Sequence, residues 1–457
     1  MSFDNLLVIL LLTSITAFCA TWLFLHWKWL PIVLLIIVWF IPRQAVPNGI
    51  LEKFLYLRWL TVILIPLVFI IQLFKTYSSG KKFVVPLTLM IPVGIISLVY
   101  LFSGIINNVK TIELISSLIL YVRYPLLFLV FINIPQEVQD VKKFLYIFII
   151  LIILQIPECL YRFFALNVSG DFLSFTLGPW GAFDLGVYTI YAVSIILAYN
   201  IIYGFKLSYI VLVLLLFIIA VLAEIKAFII AVPLISLIII LYSFRKKIVH
   251  NRLTLLTFVV VIAIALIYIY QHWGRVHRSS GNMIAYYFQI ITDVITRPSM
   301  LVSAENLDTD LSTRFLGSAF IFEHLKNSRQ LLLLGTGPGS LMAGSFIGSP
   351  GKLYNLPKYL NQLAVIIGEV GILGLITFVW LLFNIFRMIR NVYNTAEDNY
   401  SQFISLALVG MWFFYAILGP FYDLVWRHDS SNLIFWFLFA MIYRGRTSDY
   451  INNEIRH

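Results

Sequence analysis

The chain has 457 residues, of which 61% are hydrophobic and only 12% charged, and its mean hydropathy is +0.95. Soluble domains carry about 25% charged residues, so a water-soluble globular fold is excluded. The formal net charge of +11 sits mostly in short segments between apolar runs, which points to membrane orientation and anionic-lipid contact rather than to nucleic acid.

A bilayer core of roughly 30 Å needs about 20 apolar residues per crossing helix. Spans are therefore expected near residues 5–25, 29–42, 51–74, 83–105, 111–133, 141–163, 186–203, 207–223, 227–243, 253–271, 360–388, 402–422 and 431–443. The fold class is an all-α polytopic integral membrane protein with about 12–13 transmembrane helices, the first two separated only by Trp27-Lys28-Trp29. The N-terminal run has no small-residue cleavage site after it and reads as a retained anchor. Cys19 and Cys159 both fall inside spans, so no disulfide framework is expected. Pro66, Pro92, Pro125, Pro157, Pro233 and Pro420 interrupt spans and are expected to kink them.

Counted back from the C-terminus, Arg444, Arg390, Arg387, Lys206, Lys143, Lys142 and Lys75 collect on one side. The positive-inside rule makes that side cytoplasmic, C-terminus included, and puts the long polar segment 272–356 outside. Three regions follow: membrane helices over 1–271, an extracytoplasmic loop over 272–356, and the last three membrane helices with a cytoplasmic tail over 357–457.

The loop is expected to be structured. Residues 283–294 carry apolar and aromatic side chains at helical spacing, which suits a helix lying in the interface. Ser312 is placed as the N-cap of a helix over 313–327. Arg314 falls in the first turn of that helix, where a cation opposes the macrodipole and so points to a functional role. The order of elements describes a cationic pocket at the membrane face: Arg275, Arg278, Arg297 and Arg314, then Gly335-Thr336-Gly337-Pro338-Gly339, then Gly368-Glu369-Val370-Gly371 at the mouth of an apolar helix.

Charges inside spans cost about 2.5–3.5 kcal/mol each at mid-helix on insertion scales. Arg123, at the centre of its span, either pairs with a carboxylate such as Glu158 or holds a diphosphate. Glu158 either closes an intrahelical pair with Arg162 or serves as a desolvated general base. Lys226, beside Glu224 in a tight hairpin, anchors the helix end by snorkelling or contacts a ligand. Gly335, Gly337 and Gly339 either bend the chain or turn their amides into an anion nest. Glu369 is expected at a helix start, where the dipole favours a carboxylate. Asp423, Arg427, His428 and Asp429 read as an isolated outer loop. The histidines never fall at metal-ligand spacing, and no metal site is expected.

Taken together, AEIKAF (223–228), Arg314, GTGPGS (335–340) and GEVGILGL (368–375) resemble the O-antigen ligase and polymerase superfamily of bacterial envelopes. The ligases carry a His-Asn before the re-entering helix. Here that stretch reads NLPKYLNQLAVIIGE, with Asn361 and no His, so the resemblance favours the polysaccharide polymerases, with a ligase that transfers glycan to another acceptor as the alternative. It implies a GT-C-like membrane fold in the bacterial cytoplasmic membrane. It also implies metal-independent, inverting transfer of glycan from an undecaprenyl-diphosphate carrier, with no cofactor. Arg314 matches the family's catalytic arginine and Lys226 its basic hairpin residue. Glu158, Glu369 and His324 are then the candidate bases, and Arg123, Arg278, the three turn glycines and Glu369 the candidate diphosphate contacts. Expected partners are the lipid-linked oligosaccharide, membrane lipids, a chain-length regulator and a flippase, with no nucleic acid. A carrier of an anionic solute or lipid is the competing class.

Overall fold

A computed structural model describes residues 27–40, 55–80, 82–167, 181–223, 226–244, 310–341, 361–422 and 424–454. For 55–63, 182, 221, 226–230, 310–316, 319, 422 and 446–454 only the backbone is described. The expected spans 5–25 and 253–271, the interfacial segment 283–294 and Arg278 lie outside these residues. Within them the chain is 87% helical and has no strand.

A 3₁₀ turn over Trp27–Trp29 leads into α1 (Leu30–Phe40). There follow α2 (Leu55–Ser78), α3 (Leu87–Ile106), α4 (Thr111–Asn133) and α5 (Val138–Leu166), then α6 (Ala182–Tyr203), α7 (Leu207–Leu222) and α8 (Lys226–Ser243). Two helices from the loop region, α9 (Asp310–Leu325) and α10 (Arg329–Leu334), precede α11 (Gln362–Thr395). The chain closes with α12 (Asn399–Phe413), a π-helical turn over Phe414–Leu418, α13 (Gly419–Tyr422), a 3₁₀ turn over Val425–Arg427, and α14 (Asp429–Glu454). Among the described residues, six helical stretches are long and apolar enough to cross a membrane, and four shorter apolar helices accompany them. The protein is an all-α, multi-pass membrane protein.

Burial sorts the helices. In α6, 83% of the apolar window is buried, against 39% in α3; Leu98, Phe102 and Ile105 of α3 stay exposed, as a lipid-facing helix requires. Helix α14 runs through the middle, packed on α1, α4, α6, α11 and α12, and residues 430–440 of it are all buried. Pro66, Pro92, Pro125, Pro157 and Pro233 all lie inside helices.

The loop helices differ from expectation in one respect. Helix α9 is already running at Asp310, so Ser312 is not its N-cap, and Arg314 falls past the first turn, where the macrodipole has faded. The helix-dipole case for Arg314 therefore lapses, and its side chain lies outside the described residues. Helices α9 and α10 dock on the N-terminal part of α11 through Ile321, Leu325, Leu341, Ala364 and Ile367.

Candidate functional site

The site grows from three consecutive residues, Arg427-His428-Asp429, where the chain turns back into α14. Its backbone is fixed locally. Asn432 donates to the carbonyls of Val425 (3.0 Å) and His428 (2.6 Å) and accepts from the Tyr415 hydroxyl (2.6 Å) and the Trp436 indole (3.1 Å). The Trp426 indole donates to the Tyr415 carbonyl (2.9 Å) in the π-helical turn, so a backbone group left by that irregular turn finds a buried partner.

From this base the three side chains reach three different helices. The Arg427 guanidinium donates through Nη2 to Glu369 Oε2 of α11 at 2.7 Å and through Nε to the Tyr121 hydroxyl of α4 at 2.8 Å. His428 Nδ1 meets Asp184 Oδ1 of α6 at 3.3 Å, and the Ser430 hydroxyl donates to the same oxygen at 2.5 Å. Asp429 pairs with Arg123 Nη2 of α4 at 3.1 Å and accepts from the Tyr124 hydroxyl. Arg123 Nη2 also donates to the Arg427 carbonyl, 2.8 Å away. All six charged or titratable members are buried.

The cluster is level with the middle of α4. Arg123 lies twelve residues into α4, about 18 Å along its axis at 1.5 Å per residue. The segment read from sequence as an isolated outer loop is thus the hub of a buried polar network inside the bundle. The expected partnership of Arg123 is corrected likewise: its carboxylate is Asp429, not Glu158. Glu158 instead closes on Arg162 at 2.9 Å within α5, both side chains partly exposed, which is the intrahelical reading.

The glycine turn and α11 interlock backbone to backbone. Gly371 has φ 67° and ψ −166°, which breaks α11 two residues after Glu369. Such a break frees carbonyls that a membrane interior cannot hydrate. The Gly368 carbonyl accepts from the Thr336 amide (2.7 Å) and hydroxyl (2.8 Å). The Glu369 carbonyl accepts from the Gly337 amide (3.1 Å) and the Ser103 hydroxyl of α3 (2.9 Å). Gly335, Gly337 and Gly339 have φ of 74°, 103° and 77°. A Cβ at Gly335 would collide with the backbone of Glu369 and Val370, and one at Gly371 with that of Leu333 and Leu334. Only glycine fits at either place.

This geometry changes two expectations. Glu369 is the eighth residue of α11, whose N-cap is Asn361, accepting from the Ala364 amide at 2.7 Å. A carboxylate so far in gains little from the dipole, so the helix-start reading of Glu369 falls. The amides of Gly335, Thr336, Gly337 and Ser340 all donate to backbone carbonyls, so most of the expected anion nest is already engaged. The amides of Gly339 and Leu341 instead stand against the Glu369 carboxylate.

The ion pairs are incompletely made. Among the described residues, Arg427 Nη1, Arg123 Nε and Glu369 Oε1 have no hydrogen-bond partner. A guanidinium kept only as a staple tends to grip its carboxylate with two parallel bonds; Arg427 gives its Nε edge to a neutral tyrosine. A buried polar group left unsatisfied costs about 1–3 kcal/mol. A structural pair gains nothing from that cost, whereas a binding site does.

Beside the pairs lies a cleft whose lining includes Tyr121, Tyr124, Tyr415, Trp426, Asn432 and Trp436, with Phe378, Leu381, Leu382 and Ile385 of α11. Tyr121 and Tyr124 belong both to the cleft and to the two ion pairs. The remaining sequence candidates are not brought here by any described contact. Lys226 opens α8 with its side chain undescribed, and His324 is exposed in the last turn of α9. No group of three or more metal-ligating side chains occurs among the described residues. No family model matches the chain, and no curated protein is similar to it.

Proposed function

We propose that the protein is a glycosyltransferase that polymerises oligosaccharide repeat units carried on a polyprenyl diphosphate, at the outer face of a bacterial cytoplasmic membrane. One observation carries this reading. A buried arginine, Arg427, stands with an unpartnered donor beside a glycine turn and a broken helix, at the foot of the loop whose motifs resemble those polymerases. Buried fixed donors of that kind stabilise charge that develops on a leaving group.

In the reaction, the hydroxyl oxygen of the acceptor sugar attacks the anomeric carbon and its proton passes to a carboxylate. The bond from that carbon to the diphosphate oxygen breaks, and the diphosphate leaves with the electron pair. A single displacement of this kind inverts the anomeric centre. Arg427 and Arg123 supply positive charge from the bundle, Arg314 supplies it from the loop region, and Lys226 from the start of α8. Arginine suits the task because its planar fork matches two phosphate oxygens.

A second reading has its own support. Broken helices around buried charges are the architecture of many transporters, and α11 breaks at Gly371 beside Glu369. The two readings part on covalent change. Protein in nanodiscs, given a polyprenyl-diphosphate-linked oligosaccharide, is expected to produce a ladder of longer glycans, and Arg314→Ala to slow it by about 10²–10³-fold. An undiminished ladder from Arg314→Ala would remove the loop arginine from the mechanism. No ladder, with labelled anionic lipid or solute crossing vesicles instead, would make the protein a carrier.

A further inference from the structure

We infer that Glu369 is a built-in stand-in for a phosphoryl group: its carboxylate occupies the donors that a diphosphate takes over when it binds. The identification of that diphosphate as a substrate rests on the polymerase reading, but the exchange itself does not. Three observations carry it.

The first is the donor set. Arg427 Nη2 donates to the Glu369 carboxylate and the backbone amides of Gly339 and Leu341 lie close to it, an arrangement of a guanidinium and backbone N–H groups that fits phosphate oxygens as well as carboxylate oxygens. The second is incompleteness. Arg427 keeps Nη1 unpartnered and Glu369 keeps Oε1 unpartnered among the described residues, although the two side chains are 5% and 0% exposed. A phosphoryl group brings three oxygens where the carboxylate brings two, and so can meet the donor left over. The third is what can move. The backbone of Glu369 is pinned by Gly337 and Ser103 at its carbonyl, whereas its side chain is held by the exchangeable donors. Release therefore needs only a side-chain rotation. Tyr121 holds the other edge of Arg427 and lines the adjoining cleft.

Carboxylate and phosphate compete for one set of donors, so Glu369 weakens diphosphate binding in order to let product go. The test measures binding without turnover. Pyrophosphate is titrated calorimetrically into the full chain in nanodiscs, and farnesyl diphosphate into the same nanodiscs as a second arm. Glu369→Gln, which keeps the size and loses the charge, is expected to bind pyrophosphate about tenfold tighter than the wild type, and Arg427→Lys in that background to lose the gain. If Glu369→Gln does not accumulate, Glu369→Asp replaces it, its shorter carboxylate expected to give a several-fold gain. Tightening for farnesyl diphosphate alone would assign the site to a lipid headgroup; tightening for both assigns it to any diphosphate. Equal affinity in wild type and variant, or no binding by either, overturns the exchange even if a glycan ladder forms. Tightening without a ladder would keep the exchange and sink the polymerase.

Discussion

Two of the carboxylate–guanidinium pairs among the described residues, Glu158–Arg162 and Glu369–Arg427, differ in what they connect. Glu158 and Arg162 stand one helical turn apart on α5 at 2.9 Å, with side chains 28% and 33% exposed. Glu369 and Arg427 come from α11 and the turn before α14, 58 residues apart, at 2.7 Å and nearly fully buried. The first pair closes on itself and carries no tertiary information. The second ties segments together, leaves an atom of each partner unused, and stands where backbone amides already converge. A charge in an apolar helix is therefore not a site by virtue of its position. Burial between elements, with donors in excess, is what distinguishes one.

The largest effect expected from breaking this contrast is at Arg427. Arg427→Ala leaves Glu369 as an uncompensated buried charge, which costs about 3–5 kcal/mol, and the expected outcome is a sharp fall in melting temperature and in membrane accumulation. Replacing both partners by apolar side chains, Arg427→Met with Glu369→Leu, is expected to restore much of that stability, because a well-packed apolar pair often equals or exceeds a buried ion pair. The restored protein is expected to be inactive. A double variant that is stable and fully active would make the pair a mere staple.

Next in size are the glycines that let the turn and α11 interlock. Gly335→Ala and Gly371→Ala combine a positive φ, costing about 1–2 kcal/mol, with a Cβ driven into facing backbone. Gly80→Ala is the internal control: its φ is 66° but nothing lies within 4 Å of the added carbon. Melting temperatures are expected to fall more for the first two than for the third. Equal losses at all three would mean that the close approach contributes nothing.

How much of this was legible in the sequence follows from the same physics. Hydropathy located the helices well where a run is uniformly apolar and bounded by charge: 111–133 was expected and Thr111–Asn133 is found, 207–223 was expected and Leu207–Leu222 is found. The alliance of GTGPG with GEVG was half legible. Their order suggested a shared pocket, but a glycine in an apolar run does not announce a positive φ, so the break at Gly371 was invisible. Arg427-His428-Asp429 was missed because three polar residues between apolar runs look like any loop. One signal was available. The last expected span, 431–443, is too short for the roughly 20 residues a bilayer needs, so its start had to lie inside the bundle and draw the preceding residues in with it. Pair identity was beyond reach, because Arg123 lies as plausibly opposite Glu158 as opposite Asp429 until the helices are packed.

The smallest effect is expected at the other pair. Glu158 and Arg162 satisfy each other four residues apart, on a helix that packs against α1, α6 and α7. A partly exposed i,i+4 pair contributes about 0.3–0.5 kcal/mol, and the Arg162 side chain, 33% exposed, already has access to water. Glu158→Ala is therefore expected to shift the melting temperature barely at all and to leave glycan extension near the wild-type rate. Glu158 was, on sequence alone, as good a general base as Glu369, so the measurement bears on chemistry as well as on stability. A stable Glu158→Ala protein with extension reduced by 10²-fold or more, a loss typical of a missing general base, would assign the proton acceptor to α5. The buried pair would then be left with binding alone, and the contrast between the two pairs would become a division of labour between them.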